Sequence, residues 1–217
     1  MGADAQTLQV LYADDTLLVL CKPAGLLSVP GRGPDKQDCL SARAQARYAD
    51  ALVVHRLDMA TSGLLLMARG KAAQQTLSLA FAERQVGKRY VALVHGQLQA
   101  ATPGAWSDIA LPIGVDWPNR PRRVVPAEGG KASLTRWRVL GRCGAEQTRV
   151  ELEPVTGRSH QLRVHMQAIG HPVVGDTLYG PDPCPANSAR LMLHAARISF
   201  AHPLTAEPLH FSSAPEF

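Results

Sequence analysis

Between Ala51 and Ala68 two charge-free apolar runs, Ala51-Leu52-Val53-Val54 and Leu64-Leu65-Leu66-Met67-Ala68, enclose a polar stretch, His55-Arg56-Leu57-Asp58-Met59-Ala60-Thr61-Ser62-Gly63. Each run has the length and unbroken apolarity of a strand buried on both faces, which demands a sheet covered on both sides. Chemistry would sit in the polar stretch between them. In extended backbone alternate side chains share a face, which puts Arg56 and Asp58 on one side and Leu57 behind them. An ion pair is geometrically available there. Burial raises a carboxyl pKa, whereas a guanidinium a few ångströms away typically lowers it by roughly 1 to 3 units and keeps it ionised. Such a carboxylate can act as nucleophile or base near neutral pH. Thr61, Ser62 and Gly63 add hydroxyls and a conformationally free backbone position suited to a tight turn. Taken alone, the same residues also fit an aspartate that only orders a Thr-Ser-Gly turn.

A chain of 217 residues, 46% hydrophobic, can bury a sizeable core as one domain with two lobes. Lys and Arg outnumber Asp and Glu by 23 to 18, an excess that favours a polyanionic partner, nucleic acid before an anionic small molecule. Four cysteines at 21, 39, 143 and 184 show no C-x-x-C spacing, so neither a zinc site nor a disulfide framework is indicated. The first residues lack a signal-peptide pattern, and no apolar run approaches the ~18 residues needed to cross a bilayer. A soluble, cytoplasmic protein with reduced thiols and no membrane partner is expected. A monomer with no obligate protein partner is the expected state.

Along the chain, Leu8–Tyr12 and Thr16–Cys21 read as a hairpin around Ala13-Asp14-Asp15. Residues 25–37, rich in Pro and Gly, read as a loop. A helix from an Asp38 N-cap to about Tyr48 buries Leu40, Ala44 and Tyr48, with Arg43 and Arg47 solvated. A second helix covers Lys71–Gln85 and is stopped by Gly87, and Lys88–His95 is a strand with Tyr90, Ala92 and Val94 on one face. Tyr90 can abut the site or be a core tyrosine with a satisfied hydroxyl. Residues 100–131, with five prolines, read as the junction between lobes spanning about 8–100 and 105–217. Within them Trp117, Arg120, Arg122 and Arg123 share a proline-stiffened loop, the equipment of single-stranded RNA loop recognition, although a plain basic surface loop has the same composition.

Strands at Ser133–Leu140 and Thr148–Leu152, joined across Gly141-Arg142-Cys143-Gly144, precede a helix predicted from a Thr156 N-cap to Gly170. On that helix Arg158 falls in the first turn, on the inward stripe of Leu162, His165, Met166 and Ile169. There it needs an anionic partner, and Asp58 is a candidate. His160 and His165, five apart, lie about 140° from each other around a helix and do not form the i, i+4 pair of a zinc site, so no metal is expected. Asp182–Ser188 reads as a flexible loop, and Arg190–Phe200 and Leu209–Phe211 read as strands closing the second lobe.

Four ordered pieces resemble the RluA family of pseudouridine synthases: His55 to Gly63, Lys88-Arg89-Tyr90, Thr156-Gly157-Arg158-Ser159-His160-Gln161-Leu162-Arg163-Val164-His165, and Arg190-Leu191-Met192-Leu193-His194-Ala195. The resemblance runs from about Leu8 to Phe217 and implies an α+β fold: a long mixed, mostly antiparallel sheet in two halves, with flanking helices and a central cleft. It is closest to the dual-specificity branch, which acts on a hairpin of 23S rRNA and on the anticodon stem-loop of tRNA. Residues 116–121 and 25–32 support that placement. About seven residues precede the first strand, too few for the S4-like RNA-binding domain of other branches, so a single catalytic domain over 1–217 is expected.

By the same resemblance Asp58 is the catalytic residue, and no metal or cofactor takes part. Arg56 enters the stack vacated by the flipped nucleotide and Tyr90 stacks on the uracil. Arg158 partners the Asp58 carboxylate, and Leu193 or a neighbour walls the other side of the ring. Attack by Asp58 on sugar or base, or deprotonation of C2′ to a glycal, remain equally compatible with the sequence. A non-catalytic RNA-binding or assembly protein would use the same basic surface, but binding a polyanion needs no buried carboxylate facing it. A metal-dependent RNA hydrolase would instead need the histidines to converge.

Overall fold

The computed structural model describes residues 8–100, 102, 104–181 and 190–217. By proximity along Cα positions the chain divides into two units, one of Met1–Lys88 with Ala195–Glu216 and one of Arg89–His194 with Phe217. The chain thus leaves the first unit at Lys88 and returns to it at Ala195. Two sequence expectations change. The proline-rich stretch 100–131 lies inside the second unit rather than at a junction, and the last strands group with the first unit rather than closing the second. The expected flexible loop Asp182–Ser188 lies outside the described residues.

In the first unit β1 (Gln9–Ala13) and β2 (Leu17–Lys22) form the expected hairpin, with an irregularity between Val10 and Tyr12. Asp14 fixes its turn, accepting from Thr16 N at 2.7 Å and Leu17 N at 2.9 Å. Next to β2 lies β4 (Ser62–Arg69), the second apolar run of the sequence, with β3 (Ala51–Val53) antiparallel along its far end. β11 (Leu193–Ala201, its first two residues counted with the second unit) is the other neighbour of β4 and carries β12 (Pro208–Ser212) antiparallel on its far side.

Every residue of β4 from Ser62 to Ala68 is buried, as the unbroken apolar run requires. Leu17, Val19, Leu64, Leu66 and Ala68 meet one helix, α2 (Lys71–Ala82), through Ala73, Leu77, Ala80 and Phe81 at i, i+4, i+7 and i+8. The opposite residues Leu18, Leu20, Leu65 and Met67 are equally buried. α2 ends before the expected Gly87: Glu83, Arg84 and Gln85 donate back to Leu79, Phe81 and Ala80, and Arg84 is left-handed at φ 61°. Helix α1 (Leu40–Arg47) is capped by the Cys39 sulfur, which accepts from Ala42 N at 3.4 Å, and not by Asp38. Asp38 instead holds Arg43 in a bidentate pair at 2.7 and 2.6 Å.

In the second unit β5 (Gly87–His95, its first two residues counted with the first unit), β10 (Gln147–Pro154), β9 (Thr135–Cys143) and β6 (Ser107–Ile109) pair in that order, all antiparallel. The β9–β10 turn lies beyond Cys143, since Gly141 stays in the ladder opposite Arg149. β7 (Gly114–Val115) and β8 (Arg123–Val124) form a separate two-stranded hairpin. Helix α3 spans Gln161–Ala168, with Gln161 to Met166 buried all round. It ends where expected: Gly170 at φ 84° donates to Gln167 O and His171 to Met166 O, the paired bonds of a left-handed glycine cap.

Gly63 opens β4 at φ 107°, and a Cβ there would meet Ala195 backbone at 2.4 Å. Gly63→Ala is expected to destabilise the protein by ~2 kcal/mol or more through overpacking and backbone strain, read as a lower urea midpoint. His55 gives a second test. Its Nε2 accepts from Leu66 N at 2.9 Å and its ring stacks on Phe81. Burial, reinforced by the Lys88 charge, pushes the imidazole down from 6.5 to about 3. In that interval the unfolded chain binds the extra proton. His55 therefore contributes stability that is whole above about pH 6.5 and lost as pH falls towards 3, at up to about 1.4 kcal/mol per pH unit. His55→Gln keeps an acceptor for Leu66 and should lose less stability than wild type between pH 7.5 and 5.5. Equal losses would show that His55 titrates normally.

Candidate active site

The first unit presents Asp58 on a short segment between β3 and β4 whose backbone is held on both sides of the carboxylate. On the N-terminal side Leu57 N donates to Ser28 Oγ at 3.1 Å while that hydroxyl donates back to Leu57 O at 2.7 Å. On the C-terminal side Met59 O accepts from Gly25 N at 2.9 Å and from Lys22 Nζ at 2.9 Å. The Lys22 ammonium, at the end of β2 and fully buried, also donates to Pro23 O at 2.9 Å and Leu26 O at 2.8 Å. A buried lysine is tolerated when its donors are spent this way, and each charge-assisted bond is stronger than a neutral one. The loop expected from its prolines and glycines thus serves as the floor under residues 57–59. Its only regular piece is one 3-10 turn at Pro34–Lys36.

Side chains in this segment alternate as extended backbone predicts. Arg56 is exposed, Leu57 is buried at 6% and Asp58 is partly exposed, so Asp58 reaches the surface while its neighbour anchors it. Thr61 N closes a turn on Asp58 O at 3.1 Å, and Thr61 and Ser62 are buried. Turn and carboxylate therefore coexist: the segment orders a Thr-Ser-Gly turn and also presents Asp58.

The second unit carries the other sequence-selected residues. Tyr90 lies half-buried in β5 opposite Leu152 of β10. Leu193 is buried at 3%, directly after Met192, whose carbonyl accepts from Leu93 N at 3.1 Å. Arg158 departs from expectation. It precedes α3 rather than lying in its first turn, and it is exposed, with Nη2 3.4 Å from Ala132 O. The cause is Gln161, whose Oε1 accepts from Thr156 Oγ1 at 2.7 Å and from Arg158 N at 3.0 Å. Those bonds hold residues 156–160 in a loop, and Thr156 also accepts from Leu134 N at 3.0 Å instead of capping a helix. The arginine that does face inward is Arg163, paired with buried Asp176 through two contacts of 2.7 Å.

Trp117, Arg120, Arg122 and Arg123 sit together on the β7–β8 hairpin. Trp117 is 66% exposed with the Arg120 guanidinium 4.7 Å from its ring centre. Asp116 braces the tip by accepting from Asn119 N and Nδ2. Among the described residues no carboxylate pairs with Arg120, Arg122 or Arg123. Arg89, Arg136 and Arg138 differ: they surround the Trp106 ring at 4.6 to 5.3 Å. They are neutralised by Glu153, Asp108 and Glu151. The second unit holds 12 Lys and Arg against eight Asp and Glu, so four of the five excess charges lie there.

The histidines are engaged otherwise than as metal ligands. His165 Nε2 meets Leu111 O at 3.0 Å and Nδ1 meets Thr135 Oγ1 at 2.9 Å, and burial lowers its pKa. His171 Nδ1 meets His95 O at 2.8 Å, and His160 Nδ1 meets the Tyr179 hydroxyl at 2.7 Å. Among the described residues no group of three His, Cys, Asp or Glu is placed to hold a metal ion.

The sequence reading missed Lys22, Ser28, Asp176 and Tyr179. Lys22 leaves one trace, a lysine ending the otherwise apolar strand Leu17-Leu18-Val19-Leu20-Cys21. Ser28 carries no local signal, its partner Leu57 being 29 residues away. Asp176 does order a local turn at Leu178 and Tyr179, but the partners that tie Asp176 and Tyr179 to the rest of the unit, Arg163 and His160, are 13 and 19 residues away.

Residues 16–168 match the family model described as RNA pseudouridylate synthase. The dual-specificity RNA pseudouridine synthase RluA of Yersinia pestis is 47% identical over 208 residues, covering 96% of this chain and 99% of the relative. That of Escherichia coli K12 is 44% identical over 210 residues, covering 97% and 94%. The solved structure of human RNA Pseudouridylate Synthase Domain Containing 1 superposes with a TM-score of 0.82 at 31% identity, over 100% of this chain and 87% of that one. With identity at this level across nearly its whole length, and with the aspartate segment inside the matched region, the chain belongs to the RluA family of RNA pseudouridine synthases.

Proposed function

We propose that the protein isomerises uridine to pseudouridine in a hairpin of 23S rRNA and in the anticodon stem-loop of tRNA, with Asp58 as its catalytic residue. The observation that carries this reading is a partly exposed Asp58 on a backbone clamped at Leu57 and Met59, in a chain of the RluA family. The relatives are named dual-specificity RNA pseudouridine synthases, which supports two kinds of RNA substrate. The choice of 23S rRNA and tRNA rests on the resemblance of the sequence to the dual-specificity branch.

The reaction breaks the N1–C1′ bond, turns the base while it is held and joins C5 to C1′. The C5 proton is lost and N1 gains one, so nothing is added or removed overall. A base inside a loop must first leave the stack, at a cost of a few kcal/mol that phosphate contacts and stacking offset. Arg56, exposed two residues before Asp58, fills the vacated stack. Asp58 acts on the sugar or the base of the extruded nucleotide. Tyr90 supplies a π-face for the uracil and Leu193 an apolar wall. Arg158, exposed and free of helical geometry, meets the RNA rather than the protein interior. Trp117 and Arg120, Arg122 and Arg123 of the hairpin bind the loop by stacking and phosphate contact. The uncompensated charge of those arginines supports this assignment, since a protein cation without a carboxylate partner remains available to phosphate.

Asp58→Asn keeps the size of the side chain and removes its charge. Pseudouridine formation in a uridine-labelled tRNA hairpin should fall by on the order of 10³-fold or more, with RNA affinity within about threefold of wild type. Normal turnover by this variant would remove Asp58 from the chemistry, whereas tight RNA binding by a wild-type protein that forms no pseudouridine would favour a binding protein.

A further inference from the structure

Tyr179 belongs to no motif used so far, yet its side chain joins two elements that the proposed function assigns to RNA. Its hydroxyl accepts from Arg123 N at 2.8 Å, in β8 of the arginine hairpin. The same hydroxyl lies 2.7 Å from Nδ1 of His160, the residue that immediately precedes α3 and follows Arg158 by two. Its ring stands edge-on to His160 at 5.7 Å and carries the Arg122 and Arg163 guanidiniums at 5.8 and 5.0 Å. The side chain is 2% exposed and packs with Ile113 and Val164.

The position of Tyr179 is itself fixed from below. Asp176 Oδ1 accepts from Leu178 N at 2.9 Å and Tyr179 N at 3.1 Å, while both carboxylate oxygens are bound by Arg163 of α3. Position therefore passes from the helix through a buried ion pair to a turn, and from the turn through one phenol to the hairpin. A two-stranded hairpin with two residues per strand makes few ladder bonds of its own. Its base is tied by the paired bonds between Ile113 and Lys131, at 3.0 and 2.9 Å, and the Tyr179 hydroxyl adds a side-chain anchor further along, at Arg123 N.

We propose that the Tyr179 hydroxyl is a positioning device for substrate RNA, holding Arg122 and Arg123 at a fixed spacing from the Arg158 loop so that they meet successive phosphates of a hairpin loop. This deepens, and rests on, the assignment of the hairpin to RNA. Tyr179 touches no reacting atom. Its loss should weaken RNA capture and leave the chemical step intact, because prepositioned cations are paid for on folding rather than on binding.

The test uses the full chain and a labelled anticodon-type RNA hairpin, comparing wild type, Tyr179→Phe, Arg122→Ala/Arg123→Ala and the triple variant. Tyr179→Phe keeps the ring and removes the hydroxyl that bonds Arg123 N and His160 Nδ1. Kd and KM should rise about 5- to 30-fold, with kcat at saturating RNA within about twofold of wild type. In the Arg122→Ala/Arg123→Ala background the same substitution should change Kd less than about twofold, because the hydroxyl acts through those arginines. Hydrogen exchange reads the anchor directly: the Arg123 amide should lose protection in Tyr179→Phe while β9 and β10 amides keep theirs. A wild-type Kd for Tyr179→Phe, an undiminished effect in the arginine-free background, or a fall in kcat at unchanged KM would each overturn the proposal. If Arg122→Ala/Arg123→Ala binds RNA like wild type, the hairpin itself is not an RNA surface and the inference falls with that assignment. If that variant weakens binding and Tyr179→Phe does not, the assignment stands and only the inference fails.

Discussion

A buried ammonium group, shared among three backbone carbonyls, is the interaction on which the candidate site depends. Lys22 ends a strand whose other residues are almost wholly buried, and its Nζ reaches Pro23 O, Leu26 O and Met59 O. Removing such a charge from water costs several kcal/mol, so it persists only where every donor is satisfied. Here satisfaction also ties three separate backbone positions to one point. One of them belongs to the residue after Asp58, and Ser28 holds the residue before it. A carboxylate that must meet one atom of a nucleotide needs backbone that does not drift, since small misplacements cost rate steeply. Lys22 and Ser28 supply that constraint from a stretch that looks, in sequence, like plain loop.

The charges of the chain divide according to the work assigned to each unit. The first unit holds the carboxylate and is nearly neutral, and the second carries most of the excess positive charge. Within the second unit the arginines fall into two classes. Those around Trp106 are matched by Glu151, Glu153 and Asp108 and brace the β6–β9–β10–β5 sheet, where partly exposed pairs contribute little individually. Those on the β7–β8 hairpin lack acidic partners among the described residues, and counting arginines alone would have merged the two sets. The proposed phosphate contacts fall on the uncompensated class, because an arginine already paired with a carboxylate has less charge to offer a phosphate.

Local signals explain what could be read without coordinates. The β1–β2 hairpin, β4, the amphipathic face of α2 and the Gly170 cap depend on residues within one turn or one strand of each other. Residue type alone puts the cap at Thr156 and Arg158 in the first turn of the helix. Thr156 suits an N-cap, but the side chain of Gln161 competes for both Thr156 and the Arg158 amide and starts the helix five residues later than Thr156. Asp38 failed for a similar reason: Arg43 captured it, and a sulfur took the cap. Lys22 with Met59 and Tyr179 with Arg123 join positions 37 and 56 residues apart, and no periodicity or turn propensity encodes a hydrogen bond at that separation.

The nine residues from His55 to Gly63 show why this family's motif is so specific although the chemistry needs little of it. His55 supplies an acceptor for Leu66 N, and its ring closes over Phe81. Leu57 is the buried anchor, Met59 lends its carbonyl to Lys22, Thr61 closes the turn, and Gly63 admits the Ala195 backbone where a Cβ would collide. Arg56 and Met59 are exposed, His55, Asp58 and Ala60 are partly so, and Leu57, Thr61, Ser62 and Gly63 are buried. The proposed chemistry therefore asks for Asp58 and Arg56, while packing constrains most of the rest. Substitution of the packed positions would move the carboxylate without touching it, so motif identity over this stretch reports the geometry of the aspartate as well as its presence.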